Sequence, residues 1–266
     1  AVILLAYVLP EDIDTINLEN RTSAMRSVIY FYSLVTFGAA VMVWFFIPDS
    51  KMESKKSEFG KFPGIKYVLR NPAVWLQAVI VICAYVGYKG LDYYTTYAVD
   101  ILGMDEVMAA RYMSNASYLR AFSAIAAGFI ADRITSRRVI GISFTGVLIS
   151  YIILMLLYPE PKFMNIIYAN LIFTFIAVYA LRGVYFALIG ETRVHARYTG
   201  TAVGLISVIG FTPDIFFYSA GGRIIDATPG FPGFQNYFLF LAGFALIGML
   251  ATLALLFRNG VHNHSK

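Results

Sequence analysis

Charge and cysteine are both scarce in this sequence of 266 residues. Only 14% of the residues are charged, against roughly 25% in an ordinary soluble domain, and 59% are hydrophobic. This balance excludes an ordinary soluble enzyme and a disordered chain. The single cysteine, Cys83, excludes an internal disulfide and a cysteine-based metal cluster. No GxSxG, HExxH or Walker-type loop occurs either, so the sequence predicts no enzyme, no cofactor and no bound metal.

Long apolar stretches fill most of the chain. A helix needs about 20 mostly apolar residues to cross the hydrocarbon core of a bilayer. Residues 1–9 are apolar but too short, and they start without Met, which predicts the truncated end of a span. The sequence therefore predicts an all-α, polytopic membrane protein with seven full spans, at about 26–47, 73–98, 107–131, 138–158, 164–190, 199–221 and 235–257.

Basic residues are distributed unevenly between the two sides of these spans. Thirteen of the 21 Lys and Arg residues lie in the segments 48–72, 132–139, 191–198 and 258–266, and only five lie on the other side. The positive-inside rule places the thirteen, and the C-terminus with them, in the cytoplasm. We therefore expect a multi-pass protein of the bacterial inner membrane. Its basic residues predict contact with the lipid bilayer and no nucleic-acid partner.

One loop, between the spans 107–131 and 138–158, carries a motif. It contains a glycine, an acid and three arginines: Gly128, Asp132, Arg133, Arg137 and Arg138. This loop resembles the signature loop of the major facilitator superfamily, roughly G-x-L-A-D-R-x-G-R-K, found between the second and third helices of each six-helix half. Thr135 replaces the second glycine, and the basic pair is shifted by one place. The resemblance implies a conformational role, with Gly128 allowing close helix approach and Asp132 pairing across the two halves.

The resemblance also implies how the chain is organised. Residues 1–47 would end the N-terminal half, with the remnant of helix 5 and all of helix 6 of a twelve-helix carrier. Residues 48–72 would be the cytoplasmic linker, 73–257 the C-terminal six-helix half and 258–266 a cytoplasmic tail. The rest of the N-terminal half, missing from this sequence, would be a partner within the same chain. Gly200 and Gly204 form a small-xxx-small pair suited to close helix packing.

Ionisable residues inside spans are expensive, and they mark functional sites or polar partners. The face that carries Lys89, the mid-span arginines and one tyrosine near them predict a substrate-binding set of Tyr85, Lys89, Arg120, Tyr179 and Arg182. Asp92 lies one turn after Lys89, and Asp214 follows Pro213, which breaks its helix. The two acids are therefore predicted to serve ion coupling or gating.

Other interpretations of these charges stay open at this stage. Lys89 and Asp92 could neutralise each other, and Arg182 could be a tether to Asp214 or Glu191. Three cations against two acids leave a surplus of +1, and guanidinium groups suit carboxylates and phosphates. The sequence thus predicts a secondary active transporter for a small polar, anionic organic solute, working by alternating access and coupled to protons or sodium. The alternatives are a seven-helix receptor or photoreceptor and an intramembrane enzyme.

Overall fold

The computed structural model describes residues 18–46, 63–191 and 194–260, and every regular element in these ranges is helical. The chain divides into two units, at Glu58 and Phe59. The first contains helix α1, and the second contains all the other helices. The predicted remnant 1–9, most of the predicted linker and the last six residues of the predicted tail lie outside the described residues.

Helix α1, Leu18–Phe46, is the only helix described in the first unit. Its part Arg26–Phe46 is long and apolar enough to cross a membrane, close to the predicted span 26–47. The hydroxyls of Ser33 and Thr36 donate to carbonyls four residues earlier. This bonding satisfies the polar groups inside the helix, as a span in lipid requires.

The second unit is a bundle of helices. Their bounds are α2 Pro63–Arg70, α3 Pro72–Gly90, α4 Tyr94–Asp100, α5 Glu106–Ser117, α6 Leu119–Ile134, α7 Ser136–Leu156, α8 Met164–Val184, α9 Leu188–Glu191, α10 Thr199–Gly210, α11 Pro213–Ala227 and α12 Phe231–Gly260. A 3₁₀ turn at Leu91–Tyr93 joins α3 to α4, so these two helices form one span.

Local sequence accounts for several helix ends. Asn71 accepts a hydrogen bond from the N–H of Ala73, and Pro72 occupies the first turn, so α3 begins there. Asp105 accepts from the N–H groups of Val107 and Met108 and starts α5 in the same way. Side-chain oxygens thus satisfy backbone donors that a helix start leaves without a partner.

Six of the seven predicted spans match single helical segments of the described residues, and the seventh is divided. Six helical segments in the described residues are long and apolar enough to cross a membrane: Arg26–Phe46, Pro72–Asp100, Ser136–Leu156, Pro161–Val184, Ala196–Ala227 and Phe231–Arg258. The predicted span 107–131 is instead two helices, α5 and α6, that meet at Tyr118. The Tyr118 N–H bonds to the carbonyl of Asn115, three residues back, which tightens the turn. Arg111 and Arg120 reduce the apolar character of the segment.

Glycine sets the closest helix contacts. A Cβ on Gly183 of α8 would lie 2.9 Å from the Cα of Ala124 in α6, and one on Gly210 would lie 2.4 Å from Val81. The three glycines predicted to allow close approach behave differently. Among the described residues, no atom lies within 4 Å of a Cβ built on Gly128, Gly200 or Gly204. Close packing in this unit therefore uses other glycines than the predicted ones.

Polar side chains tie α7 to α8 inside the bundle. The Asn170 side chain donates to the carbonyl of Ser150 at 3.0 Å, and the hydroxyls of Ser150 and Thr174 bond to each other. All three residues are buried. Asn170 and Thr174 of α8 thus both bond to Ser150 of α7, and these bonds supply the partners that polar groups need in an apolar interior.

Candidate functional site

Lys89 forms an ion pair with Asp214, and not with Asp92 as the open alternative had it. Its Nζ lies 2.8 Å from Oδ1 of Asp214, and the Tyr85 hydroxyl donates to Oδ2 of the same carboxylate at 2.8 Å. Asp92 is connected only indirectly. The Tyr218 hydroxyl accepts from Lys89 at 3.2 Å and donates to Asp92 at 2.6 Å. We call these five residues the charge network.

A helix break presents Asp214 to the network. Helix α10 ends at Gly210, and Pro213 occupies the first turn of α11, with Asp214 directly after it. Proline favours a helix start because it lacks the N–H that would be unsatisfied there. A carboxylate is stabilised in that first turn by the helix dipole. This geometry agrees with the break predicted at Pro213.

Tyr218 is a residue of the network that sequence reasoning missed. Its hydroxyl connects Asp92 to Lys89, and so to Asp214. It lies four residues after Asp214 in α11, and that spacing puts both side chains on one face of a helix. This spacing from Asp214 was a signal that the sequence offered. It does not show that the Tyr218 hydroxyl donates to Asp92, which lies on another part of the chain.

Arg182, unlike Lys89, has no ion pair among the described residues, and it contacts aromatic rings. Its guanidinium carbon lies 3.8 Å from the centre of the Tyr88 ring and 5.7 Å from that of Tyr85. Its Nη1 is buried and has no hydrogen-bond partner among the described residues. Neither tether that the sequence left open for Arg182 is an ion pair among the described residues, where Asp214 pairs with Lys89 and Glu191 with Arg137.

A cavity of about 380 Å³ lies beside these groups. Three of the predicted site residues line it: Asp92, Arg120 and Tyr179. Tyr88 lines it too, and the Arg120 guanidinium carbon lies 5.8 Å from its ring centre. The Tyr88 ring is therefore a neighbour of both Arg120 and Arg182. Sequence reasoning missed Tyr88, although it directly precedes Lys89.

Two arginines in and next to this cavity lack an ion pair among the described residues: Arg120 lines it, and Arg182 contacts the ring of Tyr88, which lines it too. Within residues 63–191 and 194–260, no carboxylate forms an ion pair with Arg120 or Arg182. Tyrosine faces supply partial compensation through cation–π contacts. Arg120 keeps donors that can bind an anionic group in the cavity, and Arg182 adds a second guanidinium next to it, likewise unpaired in the described part of the chain.

The motif loop forms a tight turn between α6 and α7. Thr135 has a φ of 90°, a value that favours glycine, and it stands where the family pattern has its second glycine. Glu191 accepts from the Ser136 N–H at 2.7 Å, and its other oxygen lies 2.6 Å from Nε of Arg137. Glu191 thus stabilises the start of α7.

The remaining motif residues have no ion pair in the part of the chain that the structure describes. Asp132, Arg133 and Arg138 are exposed, and Gly128 has open space beside it. The predicted pairing of Asp132 across two halves stays a prediction. In the same described residues, no group of His, Cys, Asp and Glu is arranged to hold a metal ion.

Fold and site together define a polytopic helical membrane protein with a charged cavity among its helices. The family model of the Major Facilitator Superfamily matches residues 20–218, more than half of the chain. The chain belongs to this superfamily. The receptor and intramembrane-enzyme alternatives therefore lose their support.

Two curated relatives come from Escherichia coli K12. The chain is 29% identical to the inner membrane protein YqcE over 245 residues, covering 88% of this chain and 57% of YqcE. It is 29% identical to the inner membrane protein YihN over 242 residues, with the same coverage. The chain thus spans a little over half the length of the curated relatives it matches.

One solved structure shares the fold. It is a bacterial homologue of the human lysosomal transporter Spinster, in an inward-facing and unoccupied conformation. The TM-score is 0.54 at 20% identity, and the match covers 79% of this chain and 53% of that one. The likeness confirms the expected fold class, an all-α polytopic bundle of the major facilitator type.

Proposed function

We propose that the protein is a secondary active transporter for a small, polar, anionic organic solute. The observation that carries this proposal is the buried Nη1 of Arg182, which has no hydrogen-bond partner among the described residues. A buried donor without a partner destabilises the fold by about 1–3 kcal/mol, so its retention favours a role in binding. Tyr88, whose ring Arg182 contacts, lines the cavity together with a second cation, Arg120.

Anion binding by the full-length protein tests this role. Arg182→Met and Arg120→Met should each weaken binding of a transported anion about 10- to 100-fold, because a charge-assisted hydrogen bond contributes roughly 1.5–3 kcal/mol. Arg258→Met, at the exposed end of α12, is the matched control and should leave affinity unchanged. Counterflow with a panel of carboxylates and phosphates measures the effect. Equal affinity of all three variants for every anion overturns the proposal.

We propose that the charge network couples transport to protons, with Asp214 as the main protonation site. Protonation of Asp214 would remove the charge that Lys89 pairs with at 2.8 Å, and would leave that cation free. Asp92 is the second candidate, since Tyr218 connects it to the same lysine. Sodium coupling is the alternative that the experiment separates.

Asp214→Asn should abolish proton-driven accumulation and preserve exchange, because the neutral side chain mimics the protonated state. Asp100→Asn, at the exposed end of α4, is the control and should accumulate solute normally. Proteoliposomes with an imposed pH gradient, or a sodium gradient, measure both. Normal proton-driven accumulation by Asp214→Asn contradicts the assignment. If a sodium gradient alone drives accumulation, the coupling ion is sodium and not the proton.

We propose that the solute passes by alternating access between the second unit and the remaining half of the same chain, within a bacterial inner membrane. The excess of basic residues in the segments 48–72, 132–139, 191–198 and 258–266 supports a cytoplasmic C-terminus. A fluorescent protein fused to the C-terminus should be fluorescent in cells, and an alkaline phosphatase fusion should be inactive. The reverse result would place the C-terminus outside.

A further inference from the structure

The lining of the cavity carries several groups that bond hydroxyls. Its polar members besides Arg120 come from three helices and the turn after α3: Asp92, Thr95, Ser114, Ser117 and Tyr179. An apolar anion would leave these groups facing hydrocarbon, which is unfavourable. The distribution indicates a solute with polar groups along its body as well as at its charged end.

Two of these side chains keep their hydrogen-bonding capacity. Across the described residues, neither Thr95 nor Ser114 bonds through its hydroxyl to another protein group. Ser117 donates to the carbonyl of Met113 at 3.0 Å, which leaves its oxygen as an acceptor. Each hydroxyl can therefore accept from a solute hydroxyl, and two of them can also donate.

The cavity also contains both signs of charge. Arg120 suits an acceptor group of the solute, and Asp92 suits a donor group. A hydroxyl and an ammonium both satisfy Asp92. Arg120 and Asp92 balance each other in the lining, and the surplus of one positive charge comes from the groups next to it, where Lys89 and Arg182 stand against Asp214 alone. This surplus favours the hydroxyl. A solute of charge −1 neutralises that surplus, and a zwitterion leaves it.

We propose that the solute is a polyhydroxylated organic monoanion of about the size of a sugar acid. This inference rests on the proposed function, since it assumes that the arginines bind the anionic group. A volume of about 380 Å³ lies at the lower end of ligand sites, which suits a small solute rather than a peptide. The hydroxyls of the solute bond to the polar lining, and its anionic group binds Arg120, next to the Tyr88 ring that Arg182 contacts.

Six-carbon probes on the full-length protein separate the classes. D-gluconate has both features, hexanoate has only the charge, sorbitol has only the hydroxyls, and 6-aminohexanoate is a zwitterion. Isothermal titration should give gluconate, or its relative D-glucuronate, an affinity at least tenfold above the other three, since hydrogen bonds to its hydroxyls add to the attraction of its charge. Hexanoate equal to gluconate, 6-aminohexanoate tightest, or no binding by any probe overturns the inference.

Variants distinguish this inference from the proposed function. Thr95→Val and Ser114→Ala should each weaken gluconate binding about three- to tenfold and leave hexanoate unchanged. Ser143→Ala in α7, away from the cavity, should change neither. If both hydroxyl variants bind gluconate normally while Arg182→Met loses it, the polyhydroxylated class is wrong and anion binding stands. If sorbitol binds as tightly as gluconate and Arg182→Met has no effect, the anionic function fails as well.

Discussion

The turn between α6 and α7 and the cavity both collect charged side chains, but the protein uses them differently. At the turn, the Glu191 carboxylate bonds to a backbone N–H and to Arg137, so both charges are compensated. Arg120 in the cavity lining and Arg182 next to it have no ion pair among the described residues. A compensated charge has its partner within the fold, whereas an uncompensated one near a cavity is a candidate for binding. Lys89 is compensated by Asp214, although it lies close to the uncompensated arginines.

The largest stability effect is expected at Lys89. Lys89→Met leaves the Asp214 carboxylate without its ion pair and should destabilise the full-length protein by about 1–2 kcal/mol. The value stays below the roughly 3–5 kcal/mol of a fully buried pair, because the Asp214 side chain is 48% exposed. The double variant with Asp214→Asn should lose less than the sum of the single variants. SDS unfolding in mixed micelles measures this, and additive losses would contradict the pairing.

The second-largest loss of stability is expected at Glu191. Glu191→Gln removes the charge that compensates Arg137 and the start of α7, which should destabilise the protein by about 1 kcal/mol. The exposed pair Lys162–Glu160 provides the control, and Glu160→Gln should change the free energy of unfolding by less than about 0.5 kcal/mol. If the two glutamates give equal changes in the same SDS titration, the turn has no special stabilisation.

A substitution at Thr135 should increase the stability of the protein, in contrast to the one at Glu191. Thr135→Gly should stabilise the protein by about 1 kcal/mol, because glycine adopts a φ of 90° without the strain that a β-branched side chain suffers. Thr145→Gly within α7 is the control and should destabilise it by a similar amount. A loss of stability at both positions would show that Thr135 is unstrained.

Arg182 should give the smallest change, and its sign is the informative part. Arg182→Met removes a buried donor without a partner and also a cation–π contact with Tyr88, so the two effects largely cancel. We expect unchanged stability, or a gain of about 0.5 kcal/mol, together with the loss of anion binding. Arg137→Met, at the turn, should instead lose stability. A large destabilisation by Arg182→Met would mean that Arg182 is structural.

Several features of the site could be predicted from neighbouring residues alone. The break before Asp214 follows from Pro213, because proline cannot continue a helix. The placement of Arg120 and Tyr179 at one cavity follows from the high cost of intramembrane charges, which favours grouping. The pairing of Lys89 could not be predicted, because Asp92 and Asp214 were equally available until α3 and α11 were packed.

Sequence alone determined the membrane-spanning class, most of the spans and the family, since apolar length and a short motif are local properties of the chain. It did not predict that the segment 107–131 is divided into two helices, at the tightened turn of Tyr118. Only the tertiary structure decided which charges are compensated. That choice depends on which helices face each other, and contacts such as those from Lys89 and Tyr85 to Asp214 join residues more than a hundred positions apart.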